Sequence, residues 1–138
     1  MIEKFELNKS NLPNLPCPHD CIIKKIEIFD DYLIFIFEDD LSYHDSIKYN
    51  YPNTKSLIIK YHLTDDFEVH KWKRKVSLFS GEGYLLISNE EFISMAKTNL
   101  EYLYHNVGYN SLIIKLWSQG NIILDLNTDY IEYHWILK

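Results

Sequence analysis

Two runs rich in β-branched and aromatic residues, Ile22–Phe29 and Tyr32–Glu38, are separated only by Asp30-Asp31. A two-residue polar break between such runs predicts an antiparallel hairpin. Asp-Asp lacks the glycine that fixes a tight-turn type, so the turn class stays open. Leu33–Phe37 is apolar at every position. That predicts a strand covered on both faces.

The same reading extends along the chain. Residues 1–18 form an extended lead-in, stiffened by Pro13, Pro16 and Pro18. Tyr43, Asp45, Ile47, Tyr49 and Tyr51 share one parity, which predicts a strand over 42–50, ended by Pro52-Asn53. Leu57–Leu63 is the next strand, and Thr64-Asp65-Asp66 a turn. Phe67–Lys75 alternates as a strand with one wet face, and a loop at Ser80–Gly83 leads to a short strand at Tyr84–Ile87. Ser88 with Glu91 has the spacing of a capping box. Phe92, Met95, Ala96, Leu100, Leu103 and Val107 then recur at helical spacing, and Gly108 can end a helix. A helix over 89–106 is predicted. Strands follow at Ser111–Trp117, Ile122–Leu126 and 129–137. Leu57-Ile58-Ile59-Lys60 and Leu112-Ile113-Ile114-Lys115 hint at a pair of neighbouring strands.

One helix among about eight or nine strands on short connections predicts a single α+β domain over 1–138. Its sheet is mostly antiparallel, with the amphipathic helix near 89–106 packed on it. A β-sandwich or partial barrel with a helical insert is the other arrangement this order allows. At 138 residues, the chain needs neither disulfide nor metal to build a core.

Charge narrows the partners. A formal net charge of −6 argues against nucleic acid and anionic membrane, and is compatible with simple solubility and with docking to a basic protein partner. The N-terminus, Met1-Ile2-Glu3-Lys4-Phe5-Glu6, carries charges where a leader would be apolar. No apolar run approaches the ~20 residues of a membrane span. The expectation is a cytoplasmic protein whose Cys17 and Cys21 stay reduced.

Chemistry-bearing residues are few. Cys17-Pro18-His19-Asp20-Cys21 holds both cysteines. Cys17, His19 and Cys21 share a parity, about 7 Å from one to the next if extended. With a distant fourth ligand they are the candidate zinc site; otherwise the cysteines are small buried thiols. A thiol nucleophile beside His19 is a further reading, though no protease signature flanks it. His19-Asp20 and His44-Asp45 are not ready dyads, because adjacent residues on a strand face opposite sides. A cross-strand pair such as His44 with Asp20 stays open. Asp30-Asp31, Asp39-Asp40 and Asp65-Asp66 fall at predicted turns, where Asp bonds the local backbone. Gathered at one end of a sheet, they would make an acidic face. The basic run Lys71-Trp72-Lys73-Arg74-Lys75 reads as an edge strand guarded by charge rather than a nucleic-acid site. Eleven Tyr and three Trp exceed what one small core needs, and such residues concentrate at interfaces.

His19-Asp20, then Ile22-Ile23, then the hairpin with Leu33 and Phe35–Phe37 resembles the opening of some bacterial immunity-protein-like families, over residues 19–38. The resemblance implies a small acidic cytoplasmic protein that binds a secreted toxin and blocks it. The expected function is therefore a non-enzymatic binding module with no catalytic residues and no cofactor. Asp39, Asp40, Asp65 and Asp66 would steer a basic partner, and Tyr43 and Trp72 would make contact. The alternatives are a small metal-dependent or thiol enzyme using Cys17, His19, Cys21 and His44, or a structural, self-associating subunit.

Overall fold

The computed structural model describes residues 1–73 and 83–138. Arg74 and Lys75 of the basic run and most of the Ser80–Gly83 loop lie outside the described residues. Among the described residues there are nine strands: β1 (Ile2–Glu6), β2 (Ile22–Ile28), β3 (Tyr32–Phe37), β4 (Thr54–Leu63), β5 (Glu68–Lys73), β6 (Gly83–Leu86), β7 (Leu100–Gly108), β8 (Ser111–Trp117) and β9 (Asn121–Leu137). Every pairing among them is antiparallel. The class is α+β, dominated by sheet.

The sheet runs β4-β3-β2-β7-β8-β9-β5-β6, and a further β4–β9 pairing closes six of these strands into a ring. β9 makes closure possible. On one edge its first half pairs with β8 and its second half with β1. On the other edge the second half pairs with β4 and the first with β5. The Leu57 and Leu112 segments therefore pair not with each other but with β9, on opposite edges. The thinnest seam is β2–β7, only Ile22 with Glu101 and Ile23 with Leu100.

The hairpin forms as expected. Phe29 N–H donates to the Tyr32 carbonyl at 2.8 Å, closing Asp30-Asp31 into a two-residue turn. Leu33, Phe35 and Phe37 point inward with no exposure, beside Ile59, Ile114, Leu116 and Leu124. Each such side chain contributes roughly 1.5–3 kcal/mol by leaving water.

Three expectations change. The helix over 89–106 is only a turn and a half of α-helix, α2 (Asn89–Ser94), with a 3₁₀ turn at Met95–Lys97. Its start is as read: Ser88 Oγ accepts the Glu91 N–H at 3.1 Å. Asn99 then takes a left-handed φ of 54°, and the chain continues as β7. Leu100 fits the helical stripe, but with Tyr102 it also makes a two-residue period, and the sheet takes both. Gly108 ends no helix; it sits in β7, where a Cβ would collide with Ser111 Oγ. The strand expected over 42–50 is a 3₁₀ turn (Leu41–Tyr43) and one turn of helix, α1 (Asp45–Lys48). Leu41 and Ile47 are buried, while Tyr43 and Tyr49 stand exposed, so the tyrosine parity marked no strand face. Finally, the two strands expected after Gly120 are one. β9 passes through Thr128, fully buried, absorbing a bulge opposite His62–Leu63. Within the lead-in, Ile2–Glu6 is a strand, and Leu7 and Leu15 are buried against the ring.

Candidate functional site

The β3–β4 pair carries acidic turns at both ends. At one end the Asp30-Asp31 and Asp65-Asp66 turns meet. Leu63 N–H donates to the Asp31 carbonyl at 2.8 Å, holding them together. Asp66 N–H donates to Asp65 Oδ1 at 2.8 Å, and Asn127 Nδ2 donates to the Asp66 carbonyl at 3.2 Å. Between the turns lies a cleft of about 390 Å³, with Ile28, Leu63 and Phe67 on its apolar side and Asp30, Asp65 and Asp66 among its polar lining. Phe29, also lining it, is 53% exposed. Among the described residues, no lysine or arginine lines the cleft. Among the described residues, none makes an ion pair with these three carboxylates.

Asp39 and Asp40 lie at the other end, ten β4 residues away, about 30 Å. Each has its own lysine: Lys24 Nζ stands 3.8 Å from Asp39 and Lys138 Nζ 3.9 Å from Asp40. Lys138 also donates to Ser42 Oγ at 2.8 Å and sits 5.8 Å from the centre of the Tyr43 ring. Tyr43 is 82% exposed. The acidic turns thus do not gather on one face. Trp72 lies on β5, away from Tyr43, with its ring edge-on to Tyr84 at 5.3 Å.

The Cys17–Cys21 segment fastens the lead-in to β7. Asp20 N–H donates to the Tyr102 carbonyl at 2.8 Å, and Tyr102 N–H to the Cys21 carbonyl at 2.9 Å. His19 Nδ1 donates to the Leu103 carbonyl at 2.5 Å, and Cys17 Sγ points at the same carbonyl, 3.7 Å away. Burial pushes the Cys17 thiol up to about 11 and that of fully buried Cys21 up to about 12. Nucleophilic attack and metal binding both need the thiolate, which burial opposes here. Among the described residues, no three or more His, Cys, Asp or Glu side chains are placed to share a metal ion. His44 turns to Glu38, 3.1 Å away, rather than to Asp20.

Two polar groupings escaped the sequence reading. His62 Nδ1 meets Asp129 Oδ1 at 2.6 Å, an imidazole and carboxylate 67 residues apart. The bulge in β9 supplies Asp129 as the extra residue. Tyr130 stacks on the imidazole at 4.6 Å, Tyr32 approaches it edge-on at 5.1 Å, and the two tyrosine hydroxyls meet at 2.8 Å. The carboxylate orients the ring, but the tyrosines occupy its faces, leaving an interlocked surface cluster. No local motif announces it. The second grouping is internal. Tyr61, Tyr102 and Tyr133 are fully buried. Tyr102 Oη and His105 Nδ1 share a hydrogen bond of 2.5 Å, and Tyr133 O–H donates to the Pro16 carbonyl at 2.7 Å. The buried Tyr61 hydroxyl, although near Tyr102, makes no well-formed hydrogen bond.

No protein-family model, curated protein or solved structure matches this chain. No helix among the described residues is long and apolar enough to cross a membrane.

Proposed function

We propose that this chain is a non-enzymatic protein-binding module, acting as bacterial immunity proteins do by occupying a basic partner, and that the Asp30–Asp65–Asp66 cleft is the contact. One observation carries the reading: three carboxylates, with no lysine or arginine beside them among the described residues, share a cleft with Ile28, Leu63 and Phe67 next to a half-exposed phenyl ring. A lysine or arginine suits this chemistry. Its methylene stem covers Phe29 and Phe67 while its head reaches the carboxylates. The field of the acidic turns draws such a partner in and weakens with salt over a Debye length of about 10 Å at 0.1 M. Asp39 and Asp40, neutralised by Lys24 and Lys138, contribute little to this steering.

The test is a tagged pull-down from the native organism's lysate and culture supernatant, quantified by mass spectrometry with three baits. The wild type and Asp39→Asn/Asp40→Asn are expected to retain one basic protein near stoichiometry, and Asp30→Asn/Asp65→Asn/Asp66→Asn to lose it. Equal recovery by all three baits, or no basic protein with any, overturns the reading.

A further inference from the structure

The outer face of β6-β5-β9-β8-β7 carries a second surface, of different character. Register aligns its side chains in ladders across the strands. Tyr84 lies opposite Trp72, and Trp117 opposite Asn121 and Glu101. In the next row Leu86 pairs with His70, His70 with Ile123, Ile123 with Lys115, and Lys115 with Tyr104. Paired residues in a sheet point to one side, so these rows form one face. Residues between them in β9 and β8, such as Leu124 and Ile114, are fully buried. On the open side Trp72, Tyr84, Leu86, Tyr104, Ile113 and Trp117 are between 38% and 63% exposed.

A soluble monomer seldom leaves two tryptophans, two tyrosines and two aliphatic side chains together in water. With 150–250 Å² for a large aromatic side chain, and Ile123, His70 and Lys115 filling the gaps, the patch offers on the order of 600 Å². A standard interface buries about 800 Å² per partner, which this patch approaches with a modest rim. Glu68, Asp125 and Glu101 stand at its margins, and Lys115 lies near its middle, its Nζ 5.2 Å from the centre of the Tyr104 ring. A basic partner would meet that cation among apolar groups. A second copy presents an apolar, aromatic centre of the same size, and with Lys115 off the two-fold axis each Lys115 meets the other copy's marginal carboxylates rather than its own counterpart.

We infer that this face joins two copies of the chain about a two-fold axis, independently of the acidic cleft. The contact is isologous, ladder against ladder. Because each copy carries a formal net charge of −6, added salt relieves their mutual repulsion and tightens the dimer, the opposite of its effect on a basic partner at the cleft.

Sedimentation velocity on the full chain, from about 1 to 500 µM protein and at low and high sodium chloride, tests this. The expected result is a monomer–dimer equilibrium that tightens with salt. Trp117→Asp should weaken it at least tenfold while leaving the far-ultraviolet circular dichroism unchanged. Should that variant unfold, Leu86→Lys, at the exposed margin, is expected to weaken the dimer with the fold intact. A monomer at every concentration, or a dimer that folded Trp117→Asp and Leu86→Lys leave unchanged, overturns the inference.

Discussion

The two ends of the β3–β4 pair carry similar acidic turns in opposite electrostatic states. Asp39 and Asp40 each stand within 4 Å of a lysine, at 3.8 and 3.9 Å. Asp30, Asp65 and Asp66 line a cleft with no lysine or arginine among the described residues around it. The difference lies not in the turns but in what the rest of the chain brings to them: Lys24 from β2 and Lys138 from beyond β9. A count of aspartates therefore says little about where a field emerges. Exposed pairs of this kind add only about 0–1 kcal/mol to stability, yet they cancel charge that would otherwise act at a distance.

The largest effect is expected from removing the cleft charges. Against the captured partner, Asp30→Asn/Asp65→Asn/Asp66→Asn should lower the association rate about tenfold or more at low salt, while Asp39→Asn/Asp40→Asn shifts it less than about twofold. Stopped-flow mixing measures both, and equal losses at the two ends would remove the comparison. Phe29→Ala comes next. It should speed dissociation several-fold yet cost under about 1 kcal/mol of stability in a urea melt, because the ring is already 53% exposed. A smaller, opposite effect is expected on uncovering the neutralised end. Lys24→Ala/Lys138→Ala should raise the low-salt association rate by up to about twofold, vanishing at high salt.

Acid acts on the fold itself through one partly buried imidazole. Burial pushes the His105 imidazole below its ordinary range, against the Leu15 carbonyl, which favours its protonated form. The unfolded chain then binds the proton more readily than the folded one. Stability is full above about pH 6.5 and falls as pH drops through that value toward the lower folded pKa. Urea midpoints at pH 7.5 and 5.5 should show this fall in the wild type and a reduced fall in His105→Gln. An unchanged midpoint would mean that the imidazole is not held in its neutral form. The smallest expected signal is thiol reactivity: with both thiols raised by burial, a disulfide dye at pH 8 should label the folded protein far more slowly than the urea-unfolded chain.

What the sequence revealed depended on how local the cause was. The β2–β3 hairpin was legible because its pattern and its turn sit within seventeen residues of one another, and the Ser88–Glu91 cap because it spans three. The end of the helix was not. Leu100, Leu103 and Val107 satisfy a helical stripe, and only the left-handed Asn99 and the pairing of Tyr102 with Leu116 decide for strand. Tyr43 and Tyr49 share a parity by chance of a turn in which Lys48 pairs with Asp45 at 2.7 Å. The fate of the aspartates and the His62–Asp129 pair depended on residues far away in the chain, and the latter on a bulge that no spacing announces. The tyrosines divided. Tyr61, Tyr102 and Tyr133 are core, whereas Tyr84 and Tyr104 belong to the open outer face.

The position of β9 in chain order has a consequence for synthesis. It follows the other eight strands and gives edges to four of them, β1, β4, β5 and β8. While a ribosome is still making it, those four edges have no β9 to pair with and the ring cannot close. A released chain cut short at Gly120 would expose strands such as Leu57–Leu63 and Leu112–Leu116 to one another and to neighbouring chains. Closure of the ring thus waits on its seventeen-residue spine, the strand made after all those it joins.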